Sequence, residues 1–222
     1  LMHGKADEGV ALYEALVKDF PKNNDALSEL LDVYLNRKLF DKALTALDDI
    51  ERQRGTSEEL VQTRYEVLCA MGRHEDGVQA LETFNKDYSS TQILSITGDY
   101  YLSEFSDSLA QARYEEALSL DSSYLPALVG LAEVHRHQRR YPEYFATLRP
   151  FITSQDVPAA SKGMYITNIS RGIDPKILQL HREGFDSLVN LATETHPADT
   201  SVLSAAGSYF YTTGRQEEAG KR

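Results

Sequence analysis

The chain has 222 residues, 41% of them hydrophobic and 26% charged, a balance that suits a folded protein and excludes a disordered one. Its net charge of −11 excludes the clustered Lys and Arg surface that nucleic acid requires, and its single cysteine, Cys69, excludes an intrachain disulfide or a cysteine-based zinc site. No apolar run approaches the roughly 18 residues of a transmembrane helix, and Leu1 to Lys5 lacks the apolar core of a secretory signal. The compartment stays open between cytoplasmic and exported.

From the start, Asp7 to Phe20 carries Gly9, Tyr13 and Leu16 on one helical face, closed by Pro21. Leu27, Leu30, Leu31 and Tyr34 then mark one helix, and Ala43, Leu47 and Ile50 a second. A constant step along the chain carries this set onto Val61, Arg64, Tyr65, Leu68, Gly77, Leu81 and Phe84, apolar at every slot except Arg64. A step shorter by one position reaches Leu94, Thr97, Gly98, Tyr101, Ala110, Tyr114 and Ala117. A further full step reaches Leu128, Leu131, Ala132, His135, Tyr144, Leu148 and Phe151.

The next unit is irregular. Tyr165, Ile166 and Ile169 fit a first helix although Lys162 occupies its leading slot, and Phe185, Val189, Ala192 and Pro197 fit a second. Ile169 and Phe185 are 16 positions apart where Tyr101 and Ala110 are 9 apart, so about seven residues are inserted around Arg171 to Pro175. Gly172 suits a helix end, Asp174 an N-cap and Pro175 a first helical position, which predicts one second helix about two turns longer than its neighbours. Leu203, Ala206, Gly207 and Phe210 open a last unit, with a turn at Gly214 and a second helix starting at Ala219.

This spacing resembles the tetratricopeptide repeat, W-x2-L-G-x2-Y followed by A-x3-F and P with a period of about 34 residues. The resemblance implies an all-α, right-handed superhelical solenoid of antiparallel helix pairs. A single array over residues 1–222 is expected, with the second helix of a partial repeat at 1–23 and whole repeats at 24–57, 58–90, 91–124 and 125–158. An irregular repeat follows at 159–199, with its insertion near 171–176, and a partial repeat at 200–222. Both ends fall inside a repeat, so the expectation is a piece of a longer array, since solenoid ends need polar caps. Leu31, Tyr65 and Tyr144 put bulk where the family has small residues, which predicts locally wider helix separation.

Nucleophile, phosphate-loop and metal patterns are absent. His135 and His137 project about 200° apart on a helix and cannot chelate one ion, and His135 falls in an aromatic packing slot. Cys69 has no activating motif around it. The chain is expected to be no enzyme and to use no cofactor or metal.

One column of helix positions stands out. The residue after each small slot of the first helices reads Asp32, Glu66, Asp99 and Glu133, then Thr167 and Ser208. Ser28, Gln62, Ser95 and Val129 flank it on one side, and Leu35, Cys69, Leu102 and Arg136 on the other. The resemblance implies that this face lines a concave groove. The expected function is a noncatalytic scaffold holding a partner polypeptide, a basic segment among the candidates, through Asp32, Glu66, Asp99, Glu133, Leu35, Leu102 and Arg136. A grip on a C-terminal carboxylate is not supported, because groove Lys and Asn residues are lacking. The alternatives are a structural or self-association module, or the regulatory arm of a larger multidomain protein.

Overall fold

Asn23, Ser57 and Ser90 recur once per repeat, and each turns its side-chain oxygen onto a backbone N–H three residues ahead, Ala26, Leu60 and Ile93. Such caps satisfy donors that a helix start leaves without partners. They begin the first helix of each of three pairs in the computed structural model, which describes residues 2–215 and 217. The pairs are α2 (Asn24–Asn36) with α3 (Phe40–Arg54), α4 (Glu58–Ala70) with α5 (His74–Asp87), and α6 (Thr91–Ser103) with α7 (Asp107–Leu120). Before them lies α1 (Met2–Asp19), and after them α8 (Leu125–His137) pairs with α9 (Tyr141–Thr153). There follow α10 (Ala159–Gly172), α11 (Pro175–Leu180), α12 (Arg182–Thr195) and α13 (Thr200–Thr212), with no strand among the described residues. The second helix expected at Ala219 lies outside the described residues.

The turns recur as regularly as the caps. Lys38, Gly72, Phe105, Arg139 and Gly214 all take left-handed backbone with φ of 55 to 79°. The following residue in each case, Leu39, Arg73, Ser106, Arg140 or Arg215, donates its N–H at 2.8 Å to the carbonyl five residues back. This is the Schellman closure of a helix end. α10 lacks it, because its C-cap Ile173 is extended at φ −98°.

The chain divides into two compact units, Leu1–Thr97 and Gly98–Arg222. In the first, Leu27, Leu30, Leu31, Tyr34, Ala43, Leu47 and Ile50 form a core with Val10 and Val67, and Val61, Leu81, Phe84 and Ile93 form a smaller one. Each fully buried leucine contributes about 1.5–3 kcal/mol. Bulk in one helix meets a small residue in its mate: the Tyr65 ring lies 3.0 Å from where a Cβ on Gly77 would be. Arg64, the polar exception in the periodic pattern, lies half-buried and donates to Asp48 at 2.8 Å and Glu51 at 2.9 Å on α3.

In the second unit the complement runs the other way, with buried Ala132 on α8 and buried Tyr144 on α9 in one core. The irregular pair departs from the sequence expectation. The inserted residues do not lengthen one second helix: Asp174 caps Lys176 N–H at 2.7 Å and Pro175 starts a six-residue α11, which ends at His181 before α12 begins. His181 stacks on Tyr141 of α9 with ring centroids 4.1 Å apart, and Leu178 of α11 is buried in the core. The break lets α12 settle on α9, where a Cβ on Gly184 would come within 2.1 Å of the Phe145 ring. α10 packs mainly on α13, and α12 mainly on α9. Gly163 permits the first, since its Cβ would lie 2.7 Å from the Ser201 carbonyl oxygen.

His135 is buried in its aromatic slot, 6% exposed, and its Nδ1 has no hydrogen-bond partner. Burial holds its pKa below the ordinary histidine value, assisted by Arg140 and opposed by Glu143 and Glu115. The unfolded chain therefore binds the proton first. Stability contributed by the neutral ring is complete above the unfolded pKa near 6.5 and falls as pH drops from there toward the lower folded value. His135→Leu, which places there the side chain that Leu68 has in the same slot, should remove that acid-side slope and gain about 1 kcal/mol by deleting an unsatisfied buried nitrogen. Urea unfolding at pH 7.5 and 5.5 measures both effects, and an unchanged slope in the variant would assign the acid sensitivity elsewhere.

Candidate functional site

The column residues lie on first helices, where the 3.6-residue turn places them about 100° from the packing face. In the first unit Asp32 and Glu66 are exposed and Leu35 is half-buried. The carboxylate of Glu66 accepts from Gln62 Nε2 at 2.9 Å, and the Gln62 carbonyl accepts from Gln92 Nε2 at 2.6 Å. Glu58, Glu59, Gln62, Thr63, Glu66 and Gln92 line an open cleft of about 370 Å³. Asp32 and Leu35 take no part in it.

In the second unit, Asp99 accepts a 2.6 Å hydrogen bond from the Tyr114 hydroxyl. Burial pushes the Asp99 carboxyl up and the tyrosine's donation draws it partly back, while burial and the Asp99 carboxylate push Tyr114 far above an ordinary phenol. Glu133 is more fully engaged. Arg136 Nε donates to one of its oxygens at 2.6 Å, and the Tyr165 hydroxyl donates to the other at 2.8 Å. Burial alone would lower Arg136, and the Glu133 charge, its hydrogen bond and the nearby Tyr144 and Tyr165 together more than reverse it, so the guanidinium stays charged.

Around this pair is a cleft of about 310 Å³, lined by Glu133, Arg136, Tyr144, Tyr165, Asn168, Ile169, Gly172 and Ile173. It has an apolar wall, a polar rim and a compensated charge pair, the make-up of a pocket that orients a ligand. Asp99 and the half-buried Leu102 are not among its lining residues. Of the sequence-based candidates, Glu133 and Arg136 are brought together here. Ser95, read from sequence as flanking the exposed column, is buried at 3% exposure.

Sequence reasoning missed the contribution of α10. Tyr165 and Ile169 read as packing residues, which they also are, and Asn168 carried no signal. Ile173 lies in the inserted stretch, where the period stops predicting what faces what. Tyr165 and Glu133 are 32 residues apart, and only the placement of α10 shows that they bond.

Helix pairs recurring at a near-constant period, with capped first helices and left-handed turns, define a helical-repeat protein. A tetratricopeptide repeat family model matches residues 1–65, and solved tetratricopeptide repeat proteins share the fold over most of the chain. A tetratricopeptide repeat protein from Parabacteroides merdae is 12% identical, with a TM-score of 0.60 over 99% of this chain and 84% of that one. PilW, a widely conserved type IV pilus biogenesis factor, is 17% identical, with a TM-score of 0.58 over 90% and 91%. YrrB, a tetratricopeptide repeat protein with an unusual peptide-binding site, is 12% identical, with a TM-score of 0.56 over 87% and 96%. No curated protein matches the sequence significantly. The fold is that of protein-interaction scaffolds, which are in general noncatalytic. No helix among the described residues is long and apolar enough to cross a membrane.

Proposed function

We propose that this chain holds a partner polypeptide bearing Lys or Arg against the groove-lining faces of its first helices, without catalysis. The observation that carries the reading is one helical register occupied by an acid in four successive repeats, Asp32, Glu66, Asp99 and Glu133, on a chain of net charge −11. Arg136 neutralises Glu133, so the attraction falls mainly to the other three, and the cleft beside Glu133 supplies apolar contact through Ile169 and Ile173. The peptide-binding site of YrrB, on a fold of this kind, supports a peptide as the ligand class.

Exposed charges steer association, at roughly 0.2–1 kcal/mol each, and are screened by salt. A fluorescent Arg/Leu peptide should therefore bind in a salt-dependent manner and its Glu/Leu counterpart should not. The variant D32N/E66Q/D99N/E133Q should slow association with the basic peptide and flatten its salt dependence, with helix content by circular dichroism unchanged. Equal binding of both peptides, or basic-peptide binding indifferent to salt and to the four substitutions, sinks the reading. A second reading, self-association, is favoured by the exposed stripe Leu12, Leu16 and Phe20, which are 71, 38 and 59% exposed. Sedimentation at the same concentrations tests it, and a monomer throughout removes it.

A further inference from the structure

Lys162 lies in the slot where the other repeats carry Leu27, Val61, Leu94 and Leu128, and its side chain has no exposed surface. A buried ammonium is costly unless its donors are satisfied, and it is usually paired with a carboxylate. None pairs with it among the described residues. Lys162 Nζ instead donates to the Ser154 carbonyl at 2.6 Å, in the link between α9 and α10, and meets His196 Nε2 at 2.7 Å, just beyond α12. The acids nearest along these segments are otherwise placed: Asp199 caps α13 through Ser201 and Val202 N–H, and Asp156 and Glu194 are exposed. The first turn of α13, which packs on α10, brings no charged side chain.

At 2.7 Å one of the two nitrogens must donate and the other accept. An ammonium can donate to a neutral imidazole through its bare Nε2, or an imidazolium can donate to a neutral amine, and both states carry one charge. A second proton would set N–H against N–H with two like charges in contact, one of them on a lysine with no exposed surface. Burial already pushes the lysine below its ordinary pKa, in keeping with a site that tolerates little charge.

We propose that the Lys162–His196 contact is an acid-sensitive latch: it ties the 154–158 link and the end of α12 to α10 while the pair holds one proton, and opens when it takes a second. Above that transition the latch is closed, and removing the last proton leaves the amine still able to donate to Ser154 and His196. The device is thus one-sided, with opening on acidification only. It anchors the first turn of the helix that carries Tyr165, Asn168 and Ile169 into the cleft, but it stands whether or not that cleft binds a partner.

Hydrogen exchange followed by mass spectrometry, corrected for intrinsic rates, tests it on the intact chain at pH 7.5 and 5.0. Protection in peptides covering 154–162 and 193–200 should fall about tenfold or more at the lower pH. His196→Gln keeps an acceptor for Lys162 but cannot take a proton, so its protection there should be the same at both pH values. Lys162→Met, which fills the slot without charge, should also be flat and covers the case in which the glutamine variant does not fold. The background His135→Leu removes acid effects that originate in α8. Wild-type protection that does not fall at pH 5.0 overturns the latch, and so does an equal fall in the His196→Gln or Lys162→Met chains.

Discussion

Gly163→Ala is expected to lower stability by about 2 kcal/mol, and the melting midpoint by roughly 4–8 °C, even though alanine is the better helix former by about 1 kcal/mol. The added methyl would sit 2.7 Å from the Ser201 carbonyl oxygen, 2.9 Å from its carbon and 3.2 Å from Val202 N. These are backbone atoms in the first turn of α13, pinned by the Asp199 cap, and they cannot swing aside as a side chain could. Relief requires lifting α13 off α10 and with it buried Val202, Ala205, Ala206 and Tyr209. Gly172→Ala is the control on the same helix, where a Cβ meets nothing within 4 Å, and it should be neutral or slightly stabilising. Thermal denaturation of the two variants side by side decides the matter; equal midpoints would show that the α10–α13 approach is not as close as described.

Gly130→Ala should cost about 3 kcal/mol and should be largely rescued by shrinking a tyrosine on another helix. The Tyr114 ring of α7 occupies the space that side chains on both α6 and α8 would need: a Cβ on Gly98 would come within 2.6 Å of it and one on Gly130 within 2.2 Å. The ring has no exposed surface, and its hydroxyl is held by Asp99 at 2.6 Å, so it has little freedom to retreat. The equivalent slots in the other pairs hold Leu47, Leu81 and Leu148. Tyr114→Leu alone should cost about 2 kcal/mol through lost volume and a lost hydrogen bond to a carboxylate. In the double variant Gly130→Ala with Tyr114→Leu, the new methyl fills part of the vacated space, and the total should fall short of the sum by more than about 1 kcal/mol. A double-mutant cycle by urea unfolding reads the coupling, and strict additivity would refute direct competition for one space.

The helix pairs were legible because their signal is local and repeated. A stripe at i, i+3, i+4 and i+7 can be satisfied only by a helix with one buried face, and four copies at a near-constant period leave one class of fold. The register of Asp32, Glu66 and Asp99 was legible for the same reason, since a packing face fixes its complement, and Asp32 and Glu66 are exposed. Gly163 and Gly184 carried no readable message by themselves. A glycine in a helix says that something comes close, and only the neighbour shows whether it is a carbonyl on α13 or the ring of Phe145.

What the amino-acid sequence determined by itself is therefore the period, the pairing of neighbouring helices, the acidic register and the lack of a nucleophile or metal pattern. The tertiary structure alone decided where α10 and α12 go once the period breaks, that the inserted residues form α11 and not an extension, and that Lys162 finds His196 rather than an acid. It also decided that Glu133 is already engaged by Arg136 and Tyr165. The reason is physical: caps and turns act over at most five residues, whereas the bonds from Lys162 to His196 and from Tyr165 to Glu133 join groups a whole repeat apart. Their distances follow from how tightly two helices approach, and that is set by which atoms happen to be absent at the crossing, as at Gly163 and Gly184.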